Sequence, residues 1–339
     1  MQHCPSRRRV LTIAAVAAGL PFPGMAAGTA APVLTWTGQV LGTVGSIALH
    51  HPDRVAAERI VARAVAELHR LEALFSLYRS DSLLVELNRR GVLIAPPPEM
   101  RHLLEAALRF ADLTGGVFDP TVQPLWDLYR AHFAEAGADP AGPPAPAVAE
   151  ATGRVGHRQL RVGPDAVFFA RRGMAVTLNG IAQGYVTDRV VDLLRAEGVA
   201  HTLVDLGEAR AIGRHAPARP WRVALEDPAA PEKPWKTIDL VDRALASSGD
   251  DGFVFDPAGR FTHLLDPDTA RSPRLYRAVS VVAPDATTAD ALSTAFALMP
   301  TEAIASTLMR LPLVDVHLLR HNGSAAVLSG GRVSDAGSP

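Results

Sequence analysis

The sequence predicts an α+β fold, mixed sheets with packed helices in a single large domain. Three observations carry that reading. Around residues 278–283 apolar and polar side chains alternate at Val279, Ser280 and Val281, the two-residue period of a strand. Residues 53–75 instead repeat Ile60, Ala64, Leu68, Leu71 and Phe75 at three- and four-residue steps with Arg and Glu between them, which is an amphipathic helix. Strand-like and helical segments then follow one another without the strict alternation that a parallel sheet requires.

Taken in order, residues 34–49 are rich in Val, Thr and Gly and predict the first strands. The 53–75 helix follows, then Pro96–Pro98 break the chain before a second helix over 99–114, closed by Gly115-Gly116. Residues 115–126 form a dense cluster of turn and aromatic residues that includes the turn starter Asp119-Pro120. Residues 134–155, rich in Ala, Pro and Gly, predict a mobile loop. Residues 160–170 and 174–178 read as a hairpin whose second strand runs into Asn179-Gly180-Ile181-Ala182-Gln183-Gly184-Tyr185. A helix follows, apolar at Val186, Val190, Leu193 and Leu194 and ended by Gly198. Strands are expected at 202–206, 221–225 and 237–240, the last two flanking a loop with Pro228, Pro231 and Pro234. After the 278–283 strand, Thr287 and Thr288 favour the start of a helix that runs to Met299. A short helix over 301–310 and a hairpin turning at Asn322-Gly323 follow, and 331–339 read as a disordered tail. No internal repeat is present.

The chain of 339 residues is 48% hydrophobic, enough for a substantial core, and its net charge of -1 gives no reason to expect nucleic acid as a partner. Its one cysteine, Cys4, excludes a disulfide framework or a cysteine-based metal cluster. Residues 1–31 read as a twin-arginine signal peptide: Arg7-Arg8-Arg9, an apolar run over 11–20 too short to span a bilayer, then small residues. That leader predicts export to the periplasm of a domain spanning 32–330.

The stretch 261–299 holds the main chemical candidates. Asp290 and Thr294 are four apart and share a helix face, where a carboxylate and a hydroxyl suit a hard cation such as Mg²⁺. Asp290 as a simple complement to the helix dipole is the plainer alternative. His263 lies between Phe261 and Asp266-Pro267 beside that helix, as a base or as a structural histidine. The 179–185 loop feeds a helix N-terminus with two glycines, an arrangement that exposes backbone N–H groups to a phosphate. Tyr78 can stack on a planar ligand or fill the core. Phosphate-binding loops of the Gly-x-x-x-x-Gly-Lys type, nucleophile elbows and His-Glu-x-x-His are absent from the sequence.

Six blocks taken together resemble the ApbE-type FAD:protein FMN transferases. They are Phe75-Ser-Leu-Tyr78, Thr114-Gly-Gly-Val-Phe-Asp-Pro-Thr121, Asn179-Gly-Ile-Ala-Gln-Gly-Tyr185, Ser247-Ser-Gly249, His263-Leu-Leu-Asp-Pro267 and Ala289-Asp-Ala-Leu-Ser-Thr294. The leader and the wording of several blocks look most like the NosX branch, associated with nitrous oxide reduction systems. The resemblance implies transfer of FMN from FAD to a Ser or Thr hydroxyl of an exported, membrane-anchored flavoprotein, a NosR-like acceptor in that setting, with release of AMP. It implies Mg²⁺ held by Asp290, Thr294 and the Gly180 carbonyl. Tyr78 would stack on the flavin, His263 would act as the base, and Asp119, Gln183, Ser248 and Gly249 would join the FAD site. Four positions depart from the family pattern: Thr177 replaces an Asp, Gln183 a Lys, Gly207-Glu208-Ala209 a Gly-Gly-Asp, and Ala270 the glycine that ends the Asp266 loop. Those departures leave two other readings open, a flavin-binding delivery protein with little transferase activity and an FAD pyrophosphatase in which water replaces the acceptor.

Overall fold

A computed structural model describes residues 32–215, 219–250 and 252–336. The leader read over 1–31 lies outside them. The chain opens on two paired strands, β1 (Val33–Val40) and β2 (Thr43–His50), and then the long helix α1 (Arg54–Phe75). Asp53 caps α1 by accepting from Val55 N and Ala56 N, and the helix buries Ile60, Ala64, Leu68, Leu71 and Phe75, the stripe read from the sequence. Helix α2 (Leu83–Arg90), capped by Ser82 and closed by left-handed Gly91, leads to β3 (Val92–Ile94) and α3 (Pro98–Leu113).

The next segment differs from expectation. The end of the stretch read as turn and aromatic residues opens helix α4 (Gln123–Ala134), where Pro124 is tolerated because an N–H in the first helical turn would have no partner within the helix. The stretch expected as a mobile loop carries α5 (Ala145–Thr152), which buries Ala151 in a small aromatic cluster with Leu125, Tyr129 and Phe255. The stretch 160–170, expected as one strand of a hairpin with 174–178, is itself the hairpin of β4 (Leu160–Val162) and β5 (Ala166–Phe169), and 174–178 is not its partner. There the Asn88 side chain accepts from Val176 N at 2.7 Å and donates to Val176 O at 2.8 Å, standing in for a neighbouring strand.

Helix α6 (Ala182–Ala196) follows, then β6 (Thr202–Asp205), β7 (Ala209–Ile212), β8 (Trp221–Asp227) and β9 (Ala230–Leu240). The proline-bearing stretch expected as a loop belongs to the β8–β9 ribbon, whose register shifts at Leu225, Glu226 and Asp227 accommodate residues that cannot donate to a ladder. The chain continues through β10 (Ala244–Gly249), β11 (Ala278–Ala283), α7 (Ala286–Phe296), α8 (Thr301–Leu308), β12 (Asp315–Leu319), β13 (Ala325–Ser329) and β14 (Arg332–Ala336). Helix α7 starts earlier than expected: Asp285, not Thr287 or Thr288, is its N-cap, accepting from Thr288 N at 2.7 Å. Residues 332–336 of the stretch expected as a tail form β14, which finds unpaired backbone along β13.

Among the described residues these strands form a nine-stranded antiparallel sheet in the order β1-β2-β6-β7-β10-β11-β12-β13-β14. Alternate residues face opposite sides. Val204, Ala246, Val279, Val281, Val316 and Leu318 join the main core beneath α1, α3, α6 and α7. Leu203, Ala209, Ala211, Leu245 and Val282 face the other way and are covered by Trp221, Val223, Ile238 and Leu240 of the ribbon. Among the described residues no helix is long and apolar enough to cross a membrane.

Candidate active site

The sheet positions the site by bringing α6 and α7 together on its helical side. Two glycines allow a contact that no larger residue would. A methyl group on Gly184 would sit 2.2 Å from the Ala286 carbonyl oxygen and 2.8 Å from Asp290 Cβ. A methyl on Gly180 would sit 2.9 Å from Thr294 Oγ1. With hydrogens there instead, Gly184 N donates to Asp290 Oδ2 at 2.9 Å, and the Gly180 backbone lies against the Thr294 hydroxyl. Asp290 is buried in the second turn of α7, past the first-turn position that a helix-dipole role would suit.

Asp290 and Thr294, paired on a helix face in the sequence, and Gly180, which the family resemblance adds to them, therefore lie on the same α6–α7 contact. One carboxylate, one hydroxyl and one backbone carbonyl are oxygen donors of the kind a hard cation takes. In donor type, the residues that the glycine cradle brings together fit Mg²⁺. Among the described residues no cluster of three or more His, Cys, Asp or Glu is placed to hold a metal.

Next to this pair of helices is a cleft lined by Leu41, Phe75, Tyr78, Asn179, Ala182 and Gln183. Tyr78 is 62% exposed, unusual for a large aromatic ring, and Asn179 Nδ2 donates to its hydroxyl at 3.4 Å. Gln183 is buried, with Nε2 donating to Leu206 O at 3.4 Å beside Gly207. Thr177 Oγ1 accepts from Asn179 N at 3.2 Å and so shapes the start of the glycine loop.

The other residues read from the sequence lie around this centre. Ser248 bonds Ser293 on α7 at 2.8 Å, and Ser293 donates to Asp290 O at 3.0 Å, so Ser248 ties β10 to the helix bearing Asp290. His263 does not line the Tyr78 cleft. Its Nδ1 faces Phe253 O at 3.3 Å, its own N–H donates to the same carbonyl at 2.8 Å, and Gly252 packs against the ring. Its neighbours Thr262 and Leu264 line a second depression with Gly249, Asp250, Arg274 and Tyr276. Asp119 is buried in a scaffold role: Oδ1 accepts from Thr121 N and Thr121 Oγ1, and Oδ2 takes His157 N at 2.9 Å. It holds the turn whose Pro120 O accepts from Thr177 N. Ala270 has φ +56°, the left-handed conformation that a glycine adopts without strain.

Two charged groups escaped the sequence reading. Asp188 on α6 accepts from Arg210 Nη1 at 2.5 Å, from Ala286 N and Thr287 N at 2.8 Å each, and from Thr287 Oγ1 at 2.5 Å. Burial pushes its carboxyl above the usual range while Arg210 and Thr287 pull it back. Its only sequence signal is its four-residue step from Gly184. Asp205 ends β6, accepts from Gly207 N at 3.1 Å, and is pushed up to about 6 by burial.

The fold just described is shared with solved flavin transferases. The chain matches ApbE of Pseudomonas stutzeri in its apo form with a TM-score of 0.75 at 26% identity, covering 92% of this chain and 97% of that one. It matches the ApbE protein of Thermotoga maritima with a TM-score of 0.76 at 27% identity, covering 90% and 97%. Residues 41–318 match the ApbE family, and the chain belongs to it. Among its relatives is an FAD:protein FMN transferase of Treponema pallidum, 33% identical over 326 residues and covering 88% of each chain. Another, from Salmonella typhimurium, is 30% identical over 280 residues and covers 78% of each.

Proposed function

We propose that this protein moves FMN from FAD to a Ser or Thr hydroxyl of an exported flavoprotein domain, with Mg²⁺ held by Asp290, Thr294 and the Gly180 carbonyl. Its membership of the ApbE family and its relatives of that name make it an FAD:protein FMN transferase. The observation that supports the finer reading is the packing of the glycine loop on α7, which sets Gly180 against Thr294 and Gly184 against Asp290 beside a cleft with an exposed tyrosine.

In this account the Tyr78 ring offers its face to the isoalloxazine, and Asn179 fixes the ring by its bond to the hydroxyl. Bound Mg²⁺ would neutralise charge on the phosphoryl oxygens of the diphosphate. The phosphate role read for the 179–185 loop is weaker than expected, because Asn179 N, Ile181 N, Ala182 N and Gly184 N are already taken by Thr177 Oγ1, Leu178 O, Leu178 O and Asp290 Oδ2. The acceptor oxygen forms a bond to the FMN phosphorus, the phosphorus–oxygen bond to AMP breaks, and the hydroxyl proton passes to His263. Facing the Phe253 carbonyl, Nδ1 carries the proton of the neutral ring, which puts the basic lone pair on Nε2.

Gln183 favours a slower enzyme. It brings a neutral donor where the family pattern has a lysine, and a charge-assisted bond is roughly twice as strong as a neutral one. That difference supports the second reading, a delivery protein that holds flavin and transfers little. The leader supports export by the twin-arginine route to the periplasm, and its likeness to the NosX branch supports a NosR-like acceptor in nitrous oxide reduction. Changing Arg7 and Arg8 both to Lys, followed by cell fractionation, tests the route: unchanged periplasmic protein rejects it. Incubation with FAD, Mg²⁺ and a Thr-bearing acceptor domain tests the reaction, because mass spectrometry separates flavinylated acceptor from free FMN and AMP.

A further inference from the structure

Three contacts run as an antiparallel ladder between the glycine loop with α6 and helix α7. Gly180 meets Thr294, Gly184 meets Asp290, and Asp188 meets Ala286 and Thr287. The rungs climb by four residues on one side while descending by about four on the other, the spacing of one helix face against another. Two rungs are small-residue contacts and belong to the metal set proposed above. The third is polar, buried and the most heavily bonded.

We propose that Asp188 is a positioning residue whose carboxylate fixes the register of α7 and thereby holds Asp290 and Thr294 against the glycine loop. The inference rests on the metal reading of the preceding section. The first N–H groups of any helix lack partners within it. In α7 the N-cap Asp285 takes Thr288 N, and Asp188 takes Ala286 N and Thr287 N from a different helix. Thr287 Oγ1 adds a third bond to the same carboxylate, and Arg210 on β7 anchors its other side. Helix α7 is thus tied at its first turn to both α6 and the sheet. A slip of one residue along α7 would move each side chain by about 1.5 Å and 100°. Asp290 would then lose Gly184 N, and Thr294 would leave Gly180. Three contacts from α7 to that carboxylate, which Arg210 anchors to the sheet, oppose that slip.

The test uses the mature chain with Mn²⁺ as probe, followed by its electron paramagnetic resonance signal, and compares wild type with Asp188→Asn. The amide presents N–H where the carboxylate accepted, so at least one α7 N–H loses its partner. Expected is an Mn²⁺ affinity weaker by about 10- to 100-fold, the range for residues that orient metal ligands. FAD transfer should then recover most of its wild-type rate at saturating Mg²⁺, since Asp188 touches neither metal nor substrate. Thr287→Val, which removes one contact alone, should shift the affinity in the same direction by a smaller factor and keeps the test open should Asp188→Asn fold poorly. Asp227→Asn, which severs the Arg277 ion pair on the outer ribbon, serves as a control for lost stability alone. If wild type binds Mn²⁺ and both Asp188→Asn and Thr287→Val bind it equally well, the positioning role is wrong while the metal site stands. If wild type binds no Mn²⁺, the metal reading and this inference fall together.

Discussion

Gly184 donates its backbone N–H to Asp290 Oδ2 at 2.9 Å across two helices, and the space for a side chain on Gly184 is already filled by the Ala286 carbonyl. A close approach of backbone to backbone thus fixes the carboxylate on which the proposed chemistry depends.

Gly184→Ala is expected to disturb that contact directly. Its methyl would meet backbone atoms at 2.2 and 2.6 Å, which cannot rotate away as a flexible side chain would. Overpacking of this kind costs about 1–3 kcal/mol. Thermal unfolding should show the loss of stability, and FMN transfer should fall further than the fraction of unfolded protein explains. Wild-type stability in the variant would mean that α6 and α7 sit farther apart than described.

Asp290→Asn is expected to abolish transfer while FAD binding changes little. The amide loses the negative charge that a hard cation demands, yet Tyr78 and the cleft around it remain. Fluorescence titration of FAD and a transfer assay across Mg²⁺ concentrations separate the two effects. Wild-type transfer at every concentration would reduce Asp290 to a structural residue.

Gln183→Lys is expected to raise single-turnover transfer by about tenfold. A neutral contact on a departing anion is worth less by on the order of 1–3 kcal/mol, and each 1.4 kcal/mol is tenfold in rate. Thr177 Oγ1 already holds Asn179 N, a bond that an aspartate could also make. The single change should therefore work without Thr177→Asp. A gain seen only in the double variant would show that the lysine needs its carboxylate partner.

Two buried groups give stability opposite slopes with pH. Asp205, raised to about 6 from 3.8, binds its proton more tightly when folded, so its contribution is present at low pH and is lost as pH rises from about 4 to 6. His317 is lowered to about 4 from 6.5 by burial, so its contribution is present above the unfolded value and is lost as pH falls through the same window. Asp205→Asn should stabilise the protein near pH 7 by about 2–3 kcal/mol, at 1.36 kcal/mol per unit, and make stability rise more steeply between pH 4 and 6. His317→Asn should flatten that rise. Denaturant unfolding at several pH values measures both slopes, and unchanged slopes would contradict the assigned burial of these groups.

Where the sequence carried a period, it located the element well. The α1 stripe, the 278–283 strand and the Asn322-Gly323 hairpin are local patterns, and each appears where expected. Two of the misreadings share one cause, that a residue's partner lay far away in the chain. The apolar run 174–178 finds Asn88, 88 residues away, in place of a strand partner, and the ribbon absorbs prolines that locally signal a loop. At the site, the four-residue step from Asp290 to Thr294 was visible as a shared helix face. Its union with Gly180 and Gly184 was not, because it depends on how closely α6 packs on α7. Asp188 was invisible for the same reason, since its partners Ala286 and Arg210 are 98 and 22 residues away.

The most direct test of the central claim is the mass of a Thr-bearing flavoprotein domain after incubation with this protein, FAD and Mg²⁺. The account predicts that the acceptor gains the mass of one FMN with release of one AMP, and that the gain disappears with Asp290→Asn and on chelation of the metal. An acceptor of unchanged mass, with FAD held intact or split into free FMN and AMP, would contradict it.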